Sequence, residues 1–299
     1  MNQNVASSLT TAVAPKHEWS TSADVLDAEI ERLIEIAISE DLATDDATSE
    51  ATLPRSAQCQ ATVINRAPGV VCGLSIVEAV FEACPGHVTT HQLVADGDGV
   101  EPNTALIALD GDASCVLAGE RTALNFLGHL SGIATLTRQY VRAVEGTDAT
   151  VLDTRKTTPG LRHVEKYAVR CGGGTNHRLG LYDAILIKDN HLLLTGTLED
   201  AVARARASSD LEITVEVESL TQLKAALRAG ADRILLDNMG PELLREAVAL
   251  AERRVPLEAS GGINLTTAAE IAGTGVDYIS VGTLTHSAPA LDVSLEVRV

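Results

Sequence analysis

Residues 212–237 read EITVEVESLTQLKAALRAGADRILLD, and three hydrophobic patterns follow one another in this stretch. Short apolar runs rich in β-branched residues begin near 212 and near 233, which predicts two strands. The segment 219–229 between them has helical periodicity, and Gly230 stands just past its end, where glycine is favoured. A strand, a helix and a second strand in this order predict a parallel βαβ unit.

The same alternation extends over the second half of the chain. Pro159 and Pro241 stand at predicted helix starts, a position that proline favours. The further apolar runs begin near residues 149, 184, 256 and 277, and the further helical segments are 159–170, 198–208, 241–253 and 266–272. The sequence therefore predicts an α/β fold in which six parallel strands can be identified.

Polar residues at the ends of these runs distinguish a barrel from an open sheet. A barrel collects all C-terminal strand ends around one mouth, whereas an open sheet uses mainly the point where its strand order reverses. Each run ends in groups suited to a site: Asp153–Lys156, Lys188–His191, Glu216, Asp237–Asn238, Ser260–Gly262 and Gly282. We therefore favour a βα barrel with its site at that mouth.

The chain before residue 149 has a different organisation. Residues 24–40 present an apolar helix face, and 120–141 form a longer helical pattern. Between them we predict strands near 60–66, 105–109 and 114–118, with a helix at 75–83. To about residue 120, these elements predict a small α+β unit.

Two glycines interrupt the long helical pattern. Gly128 and Gly132 lie one turn apart, and a glycine inside a helix costs about 1 kcal/mol relative to alanine. They indicate either that another backbone packs closely against the helix or that the helix tolerates an irregularity. The sequence leaves both interpretations open.

Overall charge and composition exclude several classes of function. The 299 residues include 23 Lys and Arg against 41 Asp and Glu, a formal net charge of −18, whereas a duplex-binding protein needs a basic surface. Aromatic residues make up only 2%, too few for a base-stacking platform. No apolar run approaches the roughly 18 residues of a transmembrane helix, and the first twenty residues lack the pattern of a secretory signal. We expect a cytoplasmic protein that binds neither nucleic acid nor membrane.

The cysteines give no sign of a structural framework. They are odd in number and never form a CxxC pair: Cys59, Cys72, Cys84, Cys115 and Cys171. This argues against a disulfide scaffold and against a structural zinc site. Cys171 lies near the basic cluster described next, and we interpret it as a buried or unreactive thiol.

Basic residues are concentrated between Asp153 and His191. Seven of them face only four acidic residues there, a local net charge of +3 in an acidic protein. Such a pocket focuses its field on a small anion. Arg162, Lys166 and Arg170 have helical spacing, and we interpret those three as a solvated helix face. The remaining candidates for an anion clamp are Arg155, Lys156, His177, Arg178 and Lys188.

The last two predicted strands end in a pattern suited to phosphate. Ser260, Gly261 and Gly262 run from a strand into a helix, so their backbone N–H groups can approach a phosphate. Gly282 and His286 follow the next strand. In βα barrels, the loops after the final two strands commonly form a phosphate site.

Two acidic strand ends are candidates for a cation or ribose site. Glu216 and Asp237 end neighbouring strands, and paired carboxylates can hold a divalent cation or accept hydrogen bonds from hydroxyls. Either acid could instead cap the helix that follows it. Glu218 alternates with Glu216, so only one of the two points inward, and we choose Glu216. Lys188 also has a second interpretation, as a lysine that forms a Schiff base with substrate.

Several long strings resemble the quinolinate phosphoribosyltransferase family. The resemblance covers roughly residues 26–298, and its central strings are highly specific. The matching strings, in the order of the family, are Glu120–Leu127, Asp153–Leu161, Glu165–Val169, Gly172–Arg178, Leu186–His191, Leu235–Asn238, Ser260–Gly262 and Val281–His286.

The resemblance implies a two-domain subunit. A disordered tail at 1–22 would precede an N-terminal α/β sandwich at 23–128, to which a C-terminal tail at 288–299 returns. Residues 129–287 would form an incomplete, seven-stranded α/β barrel that carries the active site. The family is dimeric, and the resemblance implies that Arg121 reaches into the site of the partner subunit.

The resemblance also implies a reaction and a role for each site residue. Quinolinate and 5-phosphoribosyl-1-pyrophosphate would give nicotinate mononucleotide, pyrophosphate and carbon dioxide, with Mg²⁺, in NAD biosynthesis. Lys156 would face the phosphoribosyl pyrophosphate, and Glu216 and Asp237 would hold ribose hydroxyls and the metal. The implied quinolinate clamp is Arg121, Thr154, Arg155, His177, Arg178 and Lys188, and the implied 5-phosphate cradle is Ser260, Gly261, Gly262, Gly282 and His286. The implied catalytic set is Arg155, Lys156, Lys188, Glu216 and Asp237.

One loop departs from the family pattern. The family usually shows Glu-Asp-Leu-Gly-x-Gly-Asp-x-Thr after the first helix, whereas residues 40–48 read EDLATDDAT. Ala43 and Asp45 replace the two glycines, which puts the backbone geometry of this loop and its dimer contact in question.

Three alternative functions remain as hypotheses. A homologue associated with molybdenum transport would use another aromatic acid, but the full set of clamp cations argues for quinolinate. A sugar-phosphate lyase or isomerase would use Lys188 as a Schiff base. A non-enzymatic phosphosugar sensor would have no need of the two metal-binding acids.

Overall fold

The computed structural model describes residues 23–42 and 45–298. The predicted tail at 1–22 and the substituted position Ala43 lie outside the described residues. None of the described helices is both long enough and apolar enough to cross a membrane.

The first part of the chain alternates helices with short strands. Its elements are α1 (Ala23–Leu42), α2 (Ala47–Thr52), β1 (Gln58–Asn65), β2 (Gly69–Val70), α3 (Leu74–Ala83), β3 (Val88–Gln92), β4 (Gly99–Val100), β5 (Ala105–Asp112) and α4 (Ala113–Ala143). The strand predicted at 114–118 is wrong, because these residues form the start of α4. Cys115, Val116 and Gly119 are buried at helical spacing, and so short an apolar run does not distinguish a strand from a buried helix.

The second part follows the predicted βα rhythm. Its elements are β6 (Thr150–Leu152), α5 (Arg162–Cys171), β7 (Ile185–Ile187), α6 (Asp189–Thr195), α7 (Leu198–Ser208), β8 (Ile213–Val217), α8 (Leu220–Ala229), β9 (Arg233–Asp237), α9 (Pro241–Ala251), β10 (Leu257–Ser260), α10 (Ala268–Ala272), β11 (Tyr278–Ser280), α11 (Thr283–His286) and β12 (Val293–Arg298). Each of the six predicted strands is present. Helix α6, directly after Lys188, was not predicted.

Strands β6 to β11 form one parallel sheet in the order β6-β11-β10-β9-β8-β7. The last strand of the series therefore returns to pair with the first, as in a barrel. Thr175 makes a single parallel bridge with Leu152 and takes the place of a seventh strand beside β6. Among the described residues the ring stays open between Thr175 and β7. The predicted α/β fold with an incomplete barrel is confirmed.

The other main sheet is antiparallel, in the order β12-β1-β5-β3. The end of the chain supplies its edge strand, with Gln60 opposite Arg298 and Asn65 opposite Val293. On its way there the chain crosses α4, where the N–H of Leu291 donates to the carbonyl of Gly128 over 2.8 Å. A Cβ on Gly132 would lie 2.2 Å from the carbonyl oxygen of Pro289. Of the two interpretations of these glycines, close backbone packing is therefore correct.

Strand register determines which side chains face the inside of the barrel. Glu216 pairs with Leu235, Leu235 with Glu258, and Glu258 with Tyr278, so these four residues share one face of the sheet. Asp237, Ser260 and Ser280 lie two residues farther along their strands, on the same face and nearer the C-terminal ends. Apolar residues of the opposite face are buried against the surrounding helices: Ile213, Val215, Val217, Ile234, Leu236, Leu257, Ala259 and Ile279.

Candidate active site

An ion pair spans two neighbouring strands at the barrel mouth. Nζ of Lys188, just after β7, lies 2.7 Å from Oε2 of Glu216 in β8. Glu218 is exposed, and its backbone N–H donates to the side chain of Gln222. Glu216 is therefore the inward member of the alternating pair. It holds the lysine instead of capping the following helix, whose N-cap is Ser219.

Asp153, at the end of β6, ties three segments together beneath the mouth. Oδ1 accepts hydrogen bonds from Nζ of Lys166 and from the N–H of His177, and Oδ2 accepts one from the amide of Asn176. Burial raises the pKa of Asp153 and lowers that of Lys166, and their ion pair opposes both shifts. The carboxylate therefore anchors the loop that carries His177 and Arg178.

The interpretation of Arg162, Lys166 and Arg170 as a solvated helix face is wrong for two of them. Lys166 is only 1% exposed. The guanidinium of Arg162 donates to the carbonyls of Arg155 and Leu179 and so holds two loops of the site. Arg170 alone is exposed. Helical spacing identifies one face of a helix, and here that face turns toward the barrel.

Glu165 is a structural residue that the sequence did not single out. It is buried, its Oε2 accepts the N–H of Thr158 over 3.0 Å, and its Oε1 lies 2.8 Å from Nε2 of His129. It therefore connects α5 with α4 and with the loop after β6. An acid in the first turn of an amphipathic helix is too common to be diagnostic, and the family string Glu165–Val169 marked the segment without assigning this residue a role.

Two arginines bring positive charge into the interior of the site. Arg178 is only 8% exposed, and its Nη1 donates to the carbonyl of Ala184 over 3.0 Å. Burial and the nearby charge of Arg155 lower the pKa of Arg178, partly offset by Asp183. Among the described residues, the buried Nε of Arg155 finds no hydrogen-bond partner. Because unpaired buried donors are costly, this pair of guanidinium groups is arranged to receive an anion.

His177 is oriented by groups on two sides. Its Nδ1 accepts the N–H of Arg178 over 2.6 Å, and its Nε2 lies 3.4 Å from Oε2 of Glu258. In this conformation both ring nitrogens face protein groups. His177 therefore supports the position of Arg178 directly.

Glu258 is the principal residue that sequence reasoning missed. It is fully buried inside the barrel, where Ser280 donates a hydroxyl and Nη1 of Arg233 lies 3.5 Å away. Burial alone would raise the pKa of Glu258, but His177, Ser280 and Arg233 together lower it below its usual value. The signal was an acid inside an otherwise buried strand, PLEAS at 256–260.

Lys156, Gly282 and His286 meet on the other side of the mouth. A Cβ on Gly282 would lie 3.1 Å from Cδ of Lys156 and 3.3 Å from Nε2 of His286. The hydroxyl of Thr285 also donates to the carbonyl of Lys156 over 2.8 Å. A cation, an imidazole and an unobstructed backbone therefore adjoin one another. This arrangement suits a phosphate.

The backbone after β10 requires its two glycines. Gly261 has φ +93°, and a Cβ there would lie 2.1 Å from Oδ1 of Asn238, while Gly262 has φ +64°. Residues with a side chain rarely adopt either conformation. Ser260 pairs with Asp237 across the two strands, so this turn adjoins the acidic strand end.

Glu216 and Asp237 offer a donor set that fits Mg²⁺. They lie on the same face of neighbouring strands, and one oxygen of Asp237 accepts the Asn238 amide over 2.7 Å. Magnesium is commonly bound by one or two protein carboxylates together with substrate phosphates and water. The pair suits a metal that binds together with a phosphorylated substrate. Without substrate, Lys188 contacts one oxygen of Glu216.

Thr154 and Arg121 complete the set of predicted site residues. The hydroxyl of Thr154 accepts the N–H of Lys156 over 3.0 Å, which shapes the loop after β6. Arg121 instead stands on α4, exposed, and lines a cavity of about 240 Å³ together with Glu40 and Asp41. The barrel residues thus come together in one chain, whereas Arg121 lies against α1.

A larger cavity of about 820 Å³ lies beside α1 and α2. Its described lining includes four acids, Glu35, Asp45, Asp46 and Glu50, with Arg55. A negative lining does not suit an anionic substrate. Asp45, which replaces a glycine of the family pattern, is part of it, and Asp46 caps α2 by accepting the N–H groups of Thr48 and Ser49.

Two models of a known protein family together match almost the whole described chain. The model of the quinolinate phosphoribosyl transferase C-terminal domain matches residues 133–296, and that of the N-terminal domain matches residues 46–131. The border between the two models falls within α4, the helix that links the antiparallel sheet to the barrel.

Individual relatives agree with these matches. The chain is 41% identical over 271 residues to the probable nicotinate-nucleotide pyrophosphorylase [carboxylating] of Bacillus subtilis, covering 90% of this chain and 93% of the relative. It is 44% identical over 269 residues to the nicotinate-nucleotide pyrophosphorylase [carboxylating] of Mycobacterium leprae, covering 87% and 94%. The solved nicotinate-nucleotide pyrophosphorylase of Francisella tularensis superposes with a TM-score of 0.88 at 40% identity, covering 91% and 97%.

Proposed function

The chain belongs to the quinolinate phosphoribosyltransferase family, and from this premise we propose how its barrel mouth carries out the family's reaction. The enzyme is a pentosyltransferase of NAD biosynthesis. It transfers the phosphoribosyl group of 5-phosphoribosyl-1-pyrophosphate to quinolinate, with loss of carbon dioxide, and releases nicotinate mononucleotide and pyrophosphate. The observation that carries the proposal is the unpaired buried Nε of Arg155 beside Arg178 at the mouth.

Quinolinate binds on the cationic side of the mouth. Its two carboxylates match the guanidinium groups of Arg155 and Arg178, each able to grip a carboxylate through two parallel hydrogen bonds. Thr154 and Lys188 border the same space, and His177 fixes the backbone of Arg178. Binding relieves the repulsion between the two arginines, which gives the site its preference for a dianion.

Phosphoribosyl pyrophosphate binds on the opposite side. The 5-phosphate lies against the Ser260–Gly262 turn, Gly282 and His286, where the backbone is open to close approach. Glu216 and Asp237 accept hydrogen bonds from the ribose hydroxyls and would hold Mg²⁺. Lys156 stands between the two substrate positions, next to Gly282. Mg²⁺ bound there would supply positive charge to the departing pyrophosphate.

Catalysis consists mainly of positioning and fixed charge. The carbon–oxygen bond to pyrophosphate breaks as the ring nitrogen of quinolinate forms a bond to the same ribose carbon. The protein holds the nitrogen close to that carbon and orients both substrates beforehand, which removes most of the entropic barrier. Lys156 and Lys188 face the charge that develops. The quaternised ring nitrogen then stabilises the carbanion left when carbon dioxide departs, and this carbon takes up a proton from water to give nicotinate mononucleotide.

A Schiff-base mechanism at Lys188 is disfavoured by geometry. A nucleophilic lysine must be a neutral amine, whereas Lys188 forms an ion pair with Glu216 at 2.7 Å. The same ion pair suits a cation that is exchanged between an internal carboxylate and a substrate carboxylate.

The assay that tests the reaction measures carbon dioxide and pyrophosphate together. Purified protein with Mg²⁺ and phosphoribosyl pyrophosphate receives either quinolinate or nicotinate. Equimolar release of both products with quinolinate alone is expected. Turnover of nicotinate, or binding of phosphoribosyl pyrophosphate without turnover of either acid, would contradict the proposal.

We also propose that the enzyme is a homodimer in which Arg121 completes the partner's clamp. Support comes from Arg121 itself, an exposed cation on α4 that stands with Glu40 and Asp41 instead of with the barrel cations of its own chain. Exposed apolar side chains of the β6–α7 region, Leu181, Tyr182, Leu193 and Leu194, supply surface for such an interface.

Mixing two impaired variants, assayed at a quinolinate concentration below the KM of either variant, tests the exchange of Arg121. Arg121→Ala and Arg155→Ala chains are unfolded together, refolded and assayed. Random pairing gives one intact site in half of the dimers, so about a quarter of wild-type activity returns if Arg121 acts in the partner's site. If Arg121 acts within its own chain, no mixed dimer has an intact site and activity stays at the level of the single variants.

We place the enzyme in the cytoplasm. The described cysteines are all free thiols, as is usual in a reducing compartment, and the net charge of −18 gives it no attraction to nucleic acid or acidic membranes. Fractionation of native cells tests the location.

A further inference from the structure

Two cysteines from distant parts of the chain meet at the junction of the antiparallel sheet and the barrel. Cys72 lies in the loop between β2 and α3, and Cys171 is the last residue of α5. Their sulfur atoms and a carboxylate oxygen of Asp96 all lie within 4.8 Å of one another. In the part of the chain that the structure describes, these residues form the one cluster of three groups able to ligate a metal.

The surroundings of Asp96 argue against a metal site. Oδ1 accepts hydrogen bonds from the N–H groups of Gly73 and Leu74 at the start of α3. Oδ2 accepts a hydrogen bond from the hydroxyl of Tyr167 over 3.0 Å. With the carboxylate engaged, two sulfur ligands remain, whereas structural zinc takes four ligands. The two thiols therefore have each other as their chemical partner.

The two sulfurs differ in exposure and in acidity. Cys72 is fully buried, whereas Cys171 is partly exposed. The hydrogen bond from the Cys72 thiol lowers the pKa of Cys171 against the opposing effect of burial, while the hydrogen bond to Cys171 and burial raise the pKa of Cys72. An oxidant therefore reaches Cys171 first, and the thiolate forms there.

We propose that Cys72 and Cys171 are a modification site, at which a hydroperoxide converts the two thiols into a disulfide. The Cys171 thiolate attacks the terminal oxygen of the hydroperoxide, the O–O bond breaks, and an alcohol or water leaves after protonation. The Cys72 sulfur then displaces water from the resulting sulfenic acid, which also takes up the Cys72 proton. Two thiols and one hydroperoxide thus give one disulfide, one alcohol or water from the peroxide, and one further water.

The disulfide would crosslink the loop between β2 and α3 to the end of α5, just before the loop that carries His177 and Arg178. Cys171 directly precedes Gly172, where a Cβ would lie 2.5 Å from the carbonyl oxygen of Ala134 and from Cβ of Thr137. The chain from there runs to His177 and Arg178. The crosslink therefore fixes one end of a closely packed segment of the site.

The protein contains a matched control pair. Cys84 and Cys115 also lie beside each other, and Sγ of Cys115 donates to the backbone carbonyls of Phe81 and Cys84. Both are buried, so a hydroperoxide has no direct access to either sulfur. Exposure of one partner is thus what separates the two pairs.

The test treats the folded, full-length protein with a small excess of hydrogen peroxide. Free thiols are then alkylated, and the digest is examined by mass spectrometry without reduction. We expect a peptide that joins Cys72 to Cys171, none that joins Cys84 to Cys115, and a melting temperature that rises on oxidation and returns with dithiothreitol. Cys72→Ser should lose the linked peptide and the rise, and accumulate further oxidised Cys171 instead.

Three results would overturn the proposal. One is oxidation of Cys171 without the linked peptide in the wild type, and another is a linked peptide that forms only after denaturation. The third is binding of one equivalent of Zn²⁺ that is lost in both Cys72→Ser and Cys171→Ser, because the cluster would then be a metal site. Cys72→Ala, which keeps a small apolar residue in the buried position, repeats the test if the serine variant folds poorly.

Discussion

Nζ of Lys188 and Oε2 of Glu216 are 2.7 Å apart at the barrel mouth, so a clamp cation and a metal-binding acid are paired with each other before any substrate binds. The side chains are 43% and 14% exposed, and water screens much of their attraction. Both groups are therefore held in place at small energetic cost, and each can exchange its partner for a substrate group.

Glu216→Gln separates the catalytic from the structural role of this pair. Because the pair is partly exposed, the free energy of unfolding should change by less than about 1 kcal/mol. Loss of a charged group that faces the reaction centre should lower kcat/KM by roughly 10² to 10³. Urea denaturation and steady-state kinetics measure the two effects. Equal activity of the variant and wild type would show that Glu216 has no role in the reaction.

Arg155→Ala should weaken quinolinate binding with little effect on phosphoribosyl pyrophosphate. Charge-assisted hydrogen bonds contribute about 1.5–3 kcal/mol, so the KM for quinolinate should rise roughly 10- to 100-fold. Arg245→Ala, an exposed arginine of α9, is the matched control and should leave both KM values unchanged. A rise confined to phosphoribosyl pyrophosphate would place Arg155 on the other side of the mouth.

Lys166→Met should destabilise the fold strongly. The variant leaves the Asp153 carboxylate buried without its cation, which costs about 3–5 kcal/mol when one partner of a buried pair is removed. The double variant Asp153→Asn with Lys166→Met should recover part of this loss. Denaturation at neutral pH provides the measurement, and a loss below about 1 kcal/mol would show that the pair is effectively solvated.

Glu258→Gln tests whether the buried acid is ionised. The pKa of Glu258 is lower in the folded protein than its ordinary value of 4.5, so its charge stabilises the fold above that pH, and the stabilisation is lost as the pH falls through the folded pKa. The difference in unfolding free energy between wild type and Glu258→Gln should therefore be largest near neutral pH and shrink below pH 4.5. A difference that stays constant over this range would mean that Glu258 is already neutral.

Local sequence patterns predicted most of the strands and helices correctly. The runs around 149, 184, 212, 233, 256 and 277 are each strands, because a strand buried by helices on one side requires a short, β-branched apolar sequence. The error at 114–118 has the same origin, since a buried helix start can contain an equally short apolar run. Gly128 and Gly132 could not be interpreted until the partner backbone at 289–291 was visible.

Some of the site residues could likewise be predicted from the sequence, and others could not. Arg155, Arg178, Lys188, Glu216 and the glycine turn were recognisable because charged and glycine residues directly after strands have few structural reasons to be there. Glu258 and Lys166 were not, because their roles depend on burial among residues far away in sequence.

The alternation of strands and helices, the polar strand ends and the family resemblance follow from the amino-acid sequence alone, since each is a property of neighbouring residues. Folding sets which polar side chains meet: Lys188 with Glu216, Lys166 with Asp153, and His177 with Glu258. The physical reason is that ionic interactions depend on distance and desolvation, and both are fixed when the barrel brings separate strands together.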